Sequence, residues 1–237
     1  MDYYRQANSR GHANYGWLDT KHSFSFGSYY DPKHMGISAL RVINDDTIAP
    51  ETGFDMHPHK NMEIISYILE GEVEHTDSMG HTCKISAGEV QHLSAGTGIR
   101  HAEINRSQDQ NLRLLQIWLL PNQKSLKPSY DQRRINSNGP ITPLVTRDGR
   151  EGSLKMHQDA SLSKIELKPG EEFKLQFKNR IGYLHCISGS VQATSDLNQA
   201  IDLNQADGLG VIRADQLFLQ AKNEKFDALW FDLPDLK

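Results

Sequence analysis

Two short stretches of the chain carry side chains that can hold a metal ion. His57-Pro58-His59 is followed by Glu63, and His101-Ala102-Glu103 is followed by Asn105. Alternate residues of a strand point to one face, so His57, His59 and Glu63 share a side by parity, as do His101, Glu103 and Asn105. Residues two apart on a strand lie about 6.5–7 Å apart at Cα. Imidazoles at that spacing can converge on one ion with bonds of about 2.0–2.1 Å. The two stretches together offer three imidazoles and one carboxylate, with positions left for water or substrate. Parity admits either Glu63 or Glu103 as the carboxylate. A nitrogen and oxygen donor set without thiolate suits Fe(II) and also takes Cu(II), Ni(II), Co(II), Mn(II) or Zn(II). Such a centre can bind a chelating enol or catechol and favour its deprotonation. A lone His-x-His is more often a surface accident than a ligand pair. Two clusters flanking a hairpin, with Gly-rich turns before each, are a much rarer pattern.

The other histidines, His12, His22, His34, His75, His81, His92, His157 and His185, are singletons. Each is read as a surface or hydrogen-bonded core residue. His92 stands apart from these, because its strand leads into Ser94-Ala95-Gly96-Thr97-Gly98, the turn that delivers His101. Cys83 and Cys186 lie far apart in the sequence and have no thiol neighbour at metal-binding spacing, so both are expected as free thiols within strands.

Strands must position these residues. Short runs of Val, Ile, Leu and aromatics bounded by turn residues recur along the chain, at Ile37–Ile43, Glu63–Leu69, Leu112–Leu120, Ile181–Ile187, Gly208–Ile212 and Ala228–Leu233. This is the pattern of an all-β sandwich or barrel with few, short helices. Asp77-Ser78-Met79-Gly80 reads as a hairpin turn in which Gly supplies the positive φ. The polar stretch 122–152 is the best candidate for a connection. It divides the chain near residue 140 into an N-terminal barrel, 1–140, carrying the metal site, and a C-terminal barrel, 141–237, without one. A faint internal echo supports duplication. With Gly71 laid on Gly189, His57 and His59 fall on Leu175 and Phe177, so only the first half has a polar site.

A net charge of −4 and no dense basic cluster argue against nucleic acid as a partner. No stretch approaches the roughly 18 apolar residues of a membrane helix, and the N-terminus lacks the apolar run of a secretory signal. A cytoplasmic, monomeric protein with no membrane partner is the expectation.

The motifs resemble those of the cupin superfamily and, within it, the pirin family. The first cupin motif reads as Gly53, His57, His59, Glu63 and Gly71, and the second as Gly88, Gly98, His101 and Asn105. The more specific likeness lies in RGHANYGWLDTKHSFSFGSYYDP, HPHKNMEIISYILEG, EHTDSMG and SAGTGIRHAE followed by QIWLLP. It is strong over about residues 3–121, thin beyond, and similar to bacterial pirin-like quercetinases. Gly53 stands nearer the first His than in most cupins, and Gly96 stands where Pro is usual.

The resemblance implies a bicupin, with two double-stranded β-helix (jelly-roll) barrels face to face and one metal in the first. It implies the ligands His57, His59, His101 and Glu103, with Glu103 also able to take a substrate proton and Glu63 left to structural hydrogen bonds. The activity it implies is quercetin 2,3-dioxygenase-like, with a flavonol-like aromatic and O2 as substrates, loss of carbon monoxide, and Fe(II) ahead of copper. One alternative is a metal- or redox-responsive regulator that binds a protein partner. Another is a different small-molecule cupin, such as an isomerase or an acireductone-type dioxygenase. A deep pocket ending at the metal would favour catalysis, and an exposed docking patch would favour regulation.

Overall fold

A computed structural model describes residues 2–236. The strands run, in chain order, as β1 Tyr3–Arg5, β2 Gly11–Asn14, β3 Leu18–His22, β4 Leu40–Ile48, β5 Gly53–His59, β6 Glu63–Glu70, β7 Glu72–Asp77, β8 Thr82–Ser86, β9 Glu89–Ser94, β10 Ile99–Ile104, β11 Leu112–Leu119 and β12 Ser129–Arg134. They continue as β13 Ile141–Thr146, β14 Leu154–Lys155, β15 Ser161–Leu167, β16 Glu172–Gln176, β17 Ile181–Ser188, β18 Val191–Ser195, β19 Ala200–Leu203, β20 Gly208–Val211, β21 Gln216–Ala221 and β22 Phe226–Leu233. Among the described residues, helix is confined to the short turns Ala7–Ser9 and Arg150–Gly152. The fold is the all-β bicupin expected.

The chain forms two compact units. The first holds Gly11–Ile135 with Leu154–Gln158, and the second holds the stretch up to Arg10, Asn136–Ser153 and everything from Asp159 onward. A single cut near residue 140 therefore does not describe them, because two short pieces cross over in sequence. β1 pairs with β20 in the second unit. In the first unit, the His157 N–H donates to Glu63 and Gln158 donates to the Leu120 carbonyl.

The first unit has one sheet in the order β12-β9-β6-β11-β4-β3-β2 and a second in the order β5-β10-β7-β8. Burial explains their composition. In β7 the inward side is Val73, His75 and Asp77, while Glu72, Glu74 and Thr76 face out. β6 and β11 lie mid-sheet with most residues buried, which is why they read as continuous apolar runs. Ile48, Ile68, Val73, Ile85, Leu112 and Leu114 pack one end of the barrel, and Ile64, Leu93, Ala95 and Ile99 pack a second cluster.

Two expectations about elements need correction. The run Ile37–Ile43 is not the strand; β4 begins at Leu40 and continues through Asn44, Asp45 and Asp46 to Ile48. Those three polar residues look like a turn, but they are buried and paired with β3 and β11. The stretch 122–152 is not only connection. It contains β12 and β13, and β12 reads as polar because it is an outer strand paired on one side to β9 with most residues exposed.

The second unit repeats the topology. Its four-stranded sheet is ordered β16-β21-β18-β19, matching β5-β10-β7-β8 strand for strand. Gly189 turns β17 into β18 with φ 73°, as Gly71 turns β6 into β7 with φ 78°. Leu175 pairs with Leu217 across β16 and β21, where β5 and β10 pair His57 with His101. Leu175, Phe177 and Leu217 belong to one continuous apolar core. Cys83 and Cys186 are both free, the first half-buried and the second buried.

Candidate metal centre

β5 and β10 run antiparallel in a register that sets His57 directly opposite His101 and His59 opposite Ile99. His57 and His59, two apart on β5, turn to the same side as His101. The ring centroids of the three imidazoles stand 4.5, 4.7 and 4.9 Å apart, and a ligating nitrogen from each lies within 4.8 Å of the others. A close approach of backbones makes this possible, since a Cβ on Gly53 would fall 2.2 Å from the Glu103 carbonyl oxygen. β5 bulges here, spending three steps from His57 to Phe54 against two on β10 from His101 to Glu103.

Hydrogen bonds orient the donors. His57 Nδ1 lies 2.7 Å from the Asp55 carbonyl, which can only accept, so Nδ1 carries the proton and Nε2 keeps its lone pair. His101 Nδ1 is buried without a protein partner. Burial, with the neighbouring imidazoles, lowers His59 to about 4. Burial likewise lowers His101 to about 4, against the pull of Glu103. Both rings are therefore neutral at pH 7 with lone pairs available. Three convergent imidazole nitrogens beside a buried carboxylate are a donor set that fits a divalent transition metal.

Glu103 is fully enclosed. Burial alone would raise its carboxyl, but the neighbouring imidazoles when charged and the hydrogen bonds from Ser66 and Gln91 outweigh that and bring it below its ordinary value. Ser66 Oγ and Gln91 Nε2 donate to Oε1 at 2.9 and 3.0 Å, and Gln116 Nε2 donates to Oε2. Oε2 thus keeps a lone pair.

Glu63 does not share the face of His57 and His59. The turn at Asn61, with φ 50°, ends β5 and breaks the parity before β6 begins. Its carboxylate takes His92 Nε2 at 2.8 Å, Ser94 Oγ at 2.7 Å and the His157 N–H at 3.0 Å. His92 is accordingly a partner of Glu63. Asn105 lies just beyond β10, and its amide donates to the carbonyls of Ile48, Ala49 and Gln110, tying down the following loop.

Sequence reading misses His75. It is fully buried with its ring centroid 5.3 Å from that of His101, and His75, His101 and Glu103 form a second cluster of donors within 4.8 Å. Its Nε2 meets Asp77, which also meets the half-exposed His81. The alternation His75-x-Asp77 on a strand paired with β10 was the available signal, because it places His75 opposite Glu103 and Asp77 opposite His101. Also unforeseen are the walls of a cavity of about 270 Å³ that ends at the histidines. Phe26, Phe54 and Trp118 form its aromatic side, with Asn44, Asp46 and Gln116 as its polar side. Trp118 meets His59 edge to face at 4.9 Å.

Comparison with known proteins bears on this architecture. The family model Pirin matches residues 3–119, and Quercetinase C-terminal cupin domain matches residues 144–233. Quercetin 2,3-dioxygenase of Escherichia coli is 45% identical over 235 residues, covering 99% of each chain. The chain belongs to the pirin family. Among solved structures, the bacterial pirin YhhW of Escherichia coli in complex with nickel(II) is similar to this pirin with a TM-score of 0.93 and 44% identity, covering 99% of each chain. A pirin-like protein of Caulobacter vibrioides is 40% identical over 206 residues, covering 85% of this pirin and 86% of its own length.

Proposed function

We propose that this chain holds one divalent transition metal through His57, His59, His101 and Glu103 and acts as a ring-opening dioxygenase of flavonols such as quercetin. O2 is consumed and carbon monoxide released. The observation that carries this reading is the three-imidazole cluster at the end of an aromatic-walled cavity, a place where a small planar molecule can reach a metal away from bulk water. The quercetin 2,3-dioxygenase relative supports the substrate class, and the nickel(II) complex of YhhW supports a divalent metal. The donor set accepts Fe(II), Cu(II), Ni(II), Co(II), Mn(II) or Zn(II), and the family resemblance inclines the reading to Fe(II), with Cu(II) next.

When bound, the metal would supply Lewis acidity toward a chelating hydroxyl. The chain's own contribution is position and protonation. Glu103, oriented by Ser66, Gln91 and Gln116, offers Oε2 as a ligand or as the acceptor of the substrate's hydroxyl proton. Phe26, Phe54 and Trp118 flank a planar ring and exclude water. The cavity's end at the histidines favours catalysis over docking of a regulatory partner.

The test is oxygen uptake by the Fe(II)- and Cu(II)-loaded protein with quercetin, beside the His101→Ala variant. Quercetin loss with carbon monoxide release, absent in the variant, supports the assignment. Full metal occupancy without turnover by either form would overturn it and shift weight to a metal-responsive regulator.

A further inference from the structure

The polar wall of the cavity holds a hydrogen-bond donor that the protein itself does not use. Asn44 and Gln116 stand directly opposite each other on β4 and β11, and both line the cavity. The Gln116 amide nitrogen is engaged by Glu103, and Asp46, two residues along β4, has the Thr20 hydroxyl as its neighbour. Asn44 differs. His22, its partner on β3, sets Nδ1 2.8 Å from Asn44 Oδ1, which can only accept, so the imidazole N–H holds the amide with Nδ2 turned away. The His22 ring is held in turn, stacked on Tyr29 and packed by Phe26, so the amide is set in place before any ligand arrives. Asn44 is 4% exposed, and its Nδ2 has no hydrogen-bond partner among the described residues. Unlike the enclosed Gln91 Oε1 and His101 Nδ1, that nitrogen keeps contact with open space, and the space its side chain lines is the cavity.

The chemistry of the group points to what it takes. A neutral amide N–H needs an oxygen acceptor and asks for no charge. A carboxylate on the ligand is a poor fit, because the Glu103 carboxylate lines the same small cavity. Phe26, Phe54 and Trp118 on the other wall take a flat ring. A ketone oxygen borne by that ring suits both walls at once. The ring faces meet the aromatic side chains, and the lone pairs of the oxygen lie in the ring plane, where a donor at the edge meets them.

We propose that Asn44 Nδ2 donates a hydrogen bond to a ring ketone oxygen of the substrate, with His22 as the positioning residue, so that the cavity selects planar hydroxy-ketones over phenols and catechols that have no carbonyl. This rests on the flavonol reading above and adds a specificity-determining residue to it.

The experiment is an anaerobic titration of the Ni(II)-loaded protein, with no turnover, followed by quenching of tryptophan fluorescence. Its probes are 3-hydroxyflavone and its 4-thione, in which sulfur, a weak acceptor, replaces the ketone oxygen. Asn44→Asp keeps the size of the side chain and the acceptor for His22 but carries no N–H. Asn44→Leu removes both groups without adding charge. In each variant the affinity ratio of 3-hydroxyflavone to the thione should fall about fivefold, with one nickel per chain retained. A ratio unchanged in either folded variant overturns the proposal, showing no role if both probes bind as before and a structural one if both weaken together. Failure of the wild type to bind either probe overturns both this proposal and the flavonol reading. The expected fall in ratio, without oxygen uptake by the wild type and quercetin under air, supports the hydrogen bond and overturns only the dioxygenase assignment.

Discussion

Glu103 and Glu63 are both buried carboxylates close to the ends of site-forming strands, and their partners separate their roles. Each accepts three hydrogen bonds, but Glu103 lines the cavity and has an oxygen within 4.8 Å of a His101 nitrogen, whereas Glu63 does not line it and is held by His92, Ser94 and the His157 N–H. Glu103→Gln should therefore cut metal affinity by about tenfold or more, and Glu63→Gln only slightly, as read by metal titration. The reverse ranking would return the ligand role to Glu63. Glu63→Gln should instead cost about 1–3 kcal/mol of stability through its buried partners. Its pH dependence has a definite sign. Burial alone would raise the Glu63 carboxyl, but the bonds from His92, His157 and Ser94 together bring it below its ordinary value of 4.5. The stabilisation is full above that value and is lost as pH falls through the lowered one. Acid unfolding of the variant should accordingly begin less steeply below about pH 4.5. His57→Ala or His101→Ala should each abolish stoichiometric metal, which metal analysis of the purified variants checks. The histidine pairs were legible because strand parity puts i and i+2 on one side. Parity misleads for Glu63, because it does not survive the turn at Asn61.

Elements carry the geometry that separates a donor set from a scatter of histidines. β5 and β10 approach so closely at Gly53 that a methyl group has no room beside the Glu103 carbonyl. Gly53→Ala should push β5 and β10 apart beside the β5 bulge, destabilise the barrel by about 1–3 kcal/mol and weaken metal binding. Retention of wild-type metal affinity by that variant would show that the crossing tolerates separation. The mid-sheet strands β6 and β11 were readable as apolar runs. β4 and β12 were not, for opposite reasons. β4 buries Asn44, Asp45 and Asp46, using polar residues in a central position because they face the cavity or ion-pair with Arg113. β12 is exposed along most of its length, so its composition resembles a loop.

At the scale of the whole molecule, the two units share one topology and differ in what fills it. Leu175, Phe177 and Leu217 close the second barrel with packed side chains at the positions where the first opens a cavity. Metal analysis should find one ion per chain, not two. The second unit also depends on the start of the chain. Asp207, buried in it, accepts from the Ala7 N–H at 2.8 Å, the Asn204 N–H at 3.0 Å and the Tyr4 hydroxyl at 3.1 Å. Asp207→Ala should cost that unit about 1–3 kcal/mol and leave metal content unchanged, as measured by thermal unfolding alongside metal analysis. Duplication was visible in the sequence only through the spacing around Gly71 and Gly189. The crossing of β1 into the second unit was not visible, because a three-residue strand carries no periodicity.

That crossing has a consequence for how the chain is made. Tyr3, Tyr4 and Arg5 pair with Gly210, Leu209 and Gly208, so β1 meets its neighbour only after some two hundred further residues, on the order of the whole first barrel, have emerged. The first barrel, which begins at Gly11, can assemble on the ribosome while the leading segment waits without a sheet to join. The second barrel can close only once β20 and β22 have emerged, so β1 reaches its place later than the strands of the first barrel that follow it in sequence.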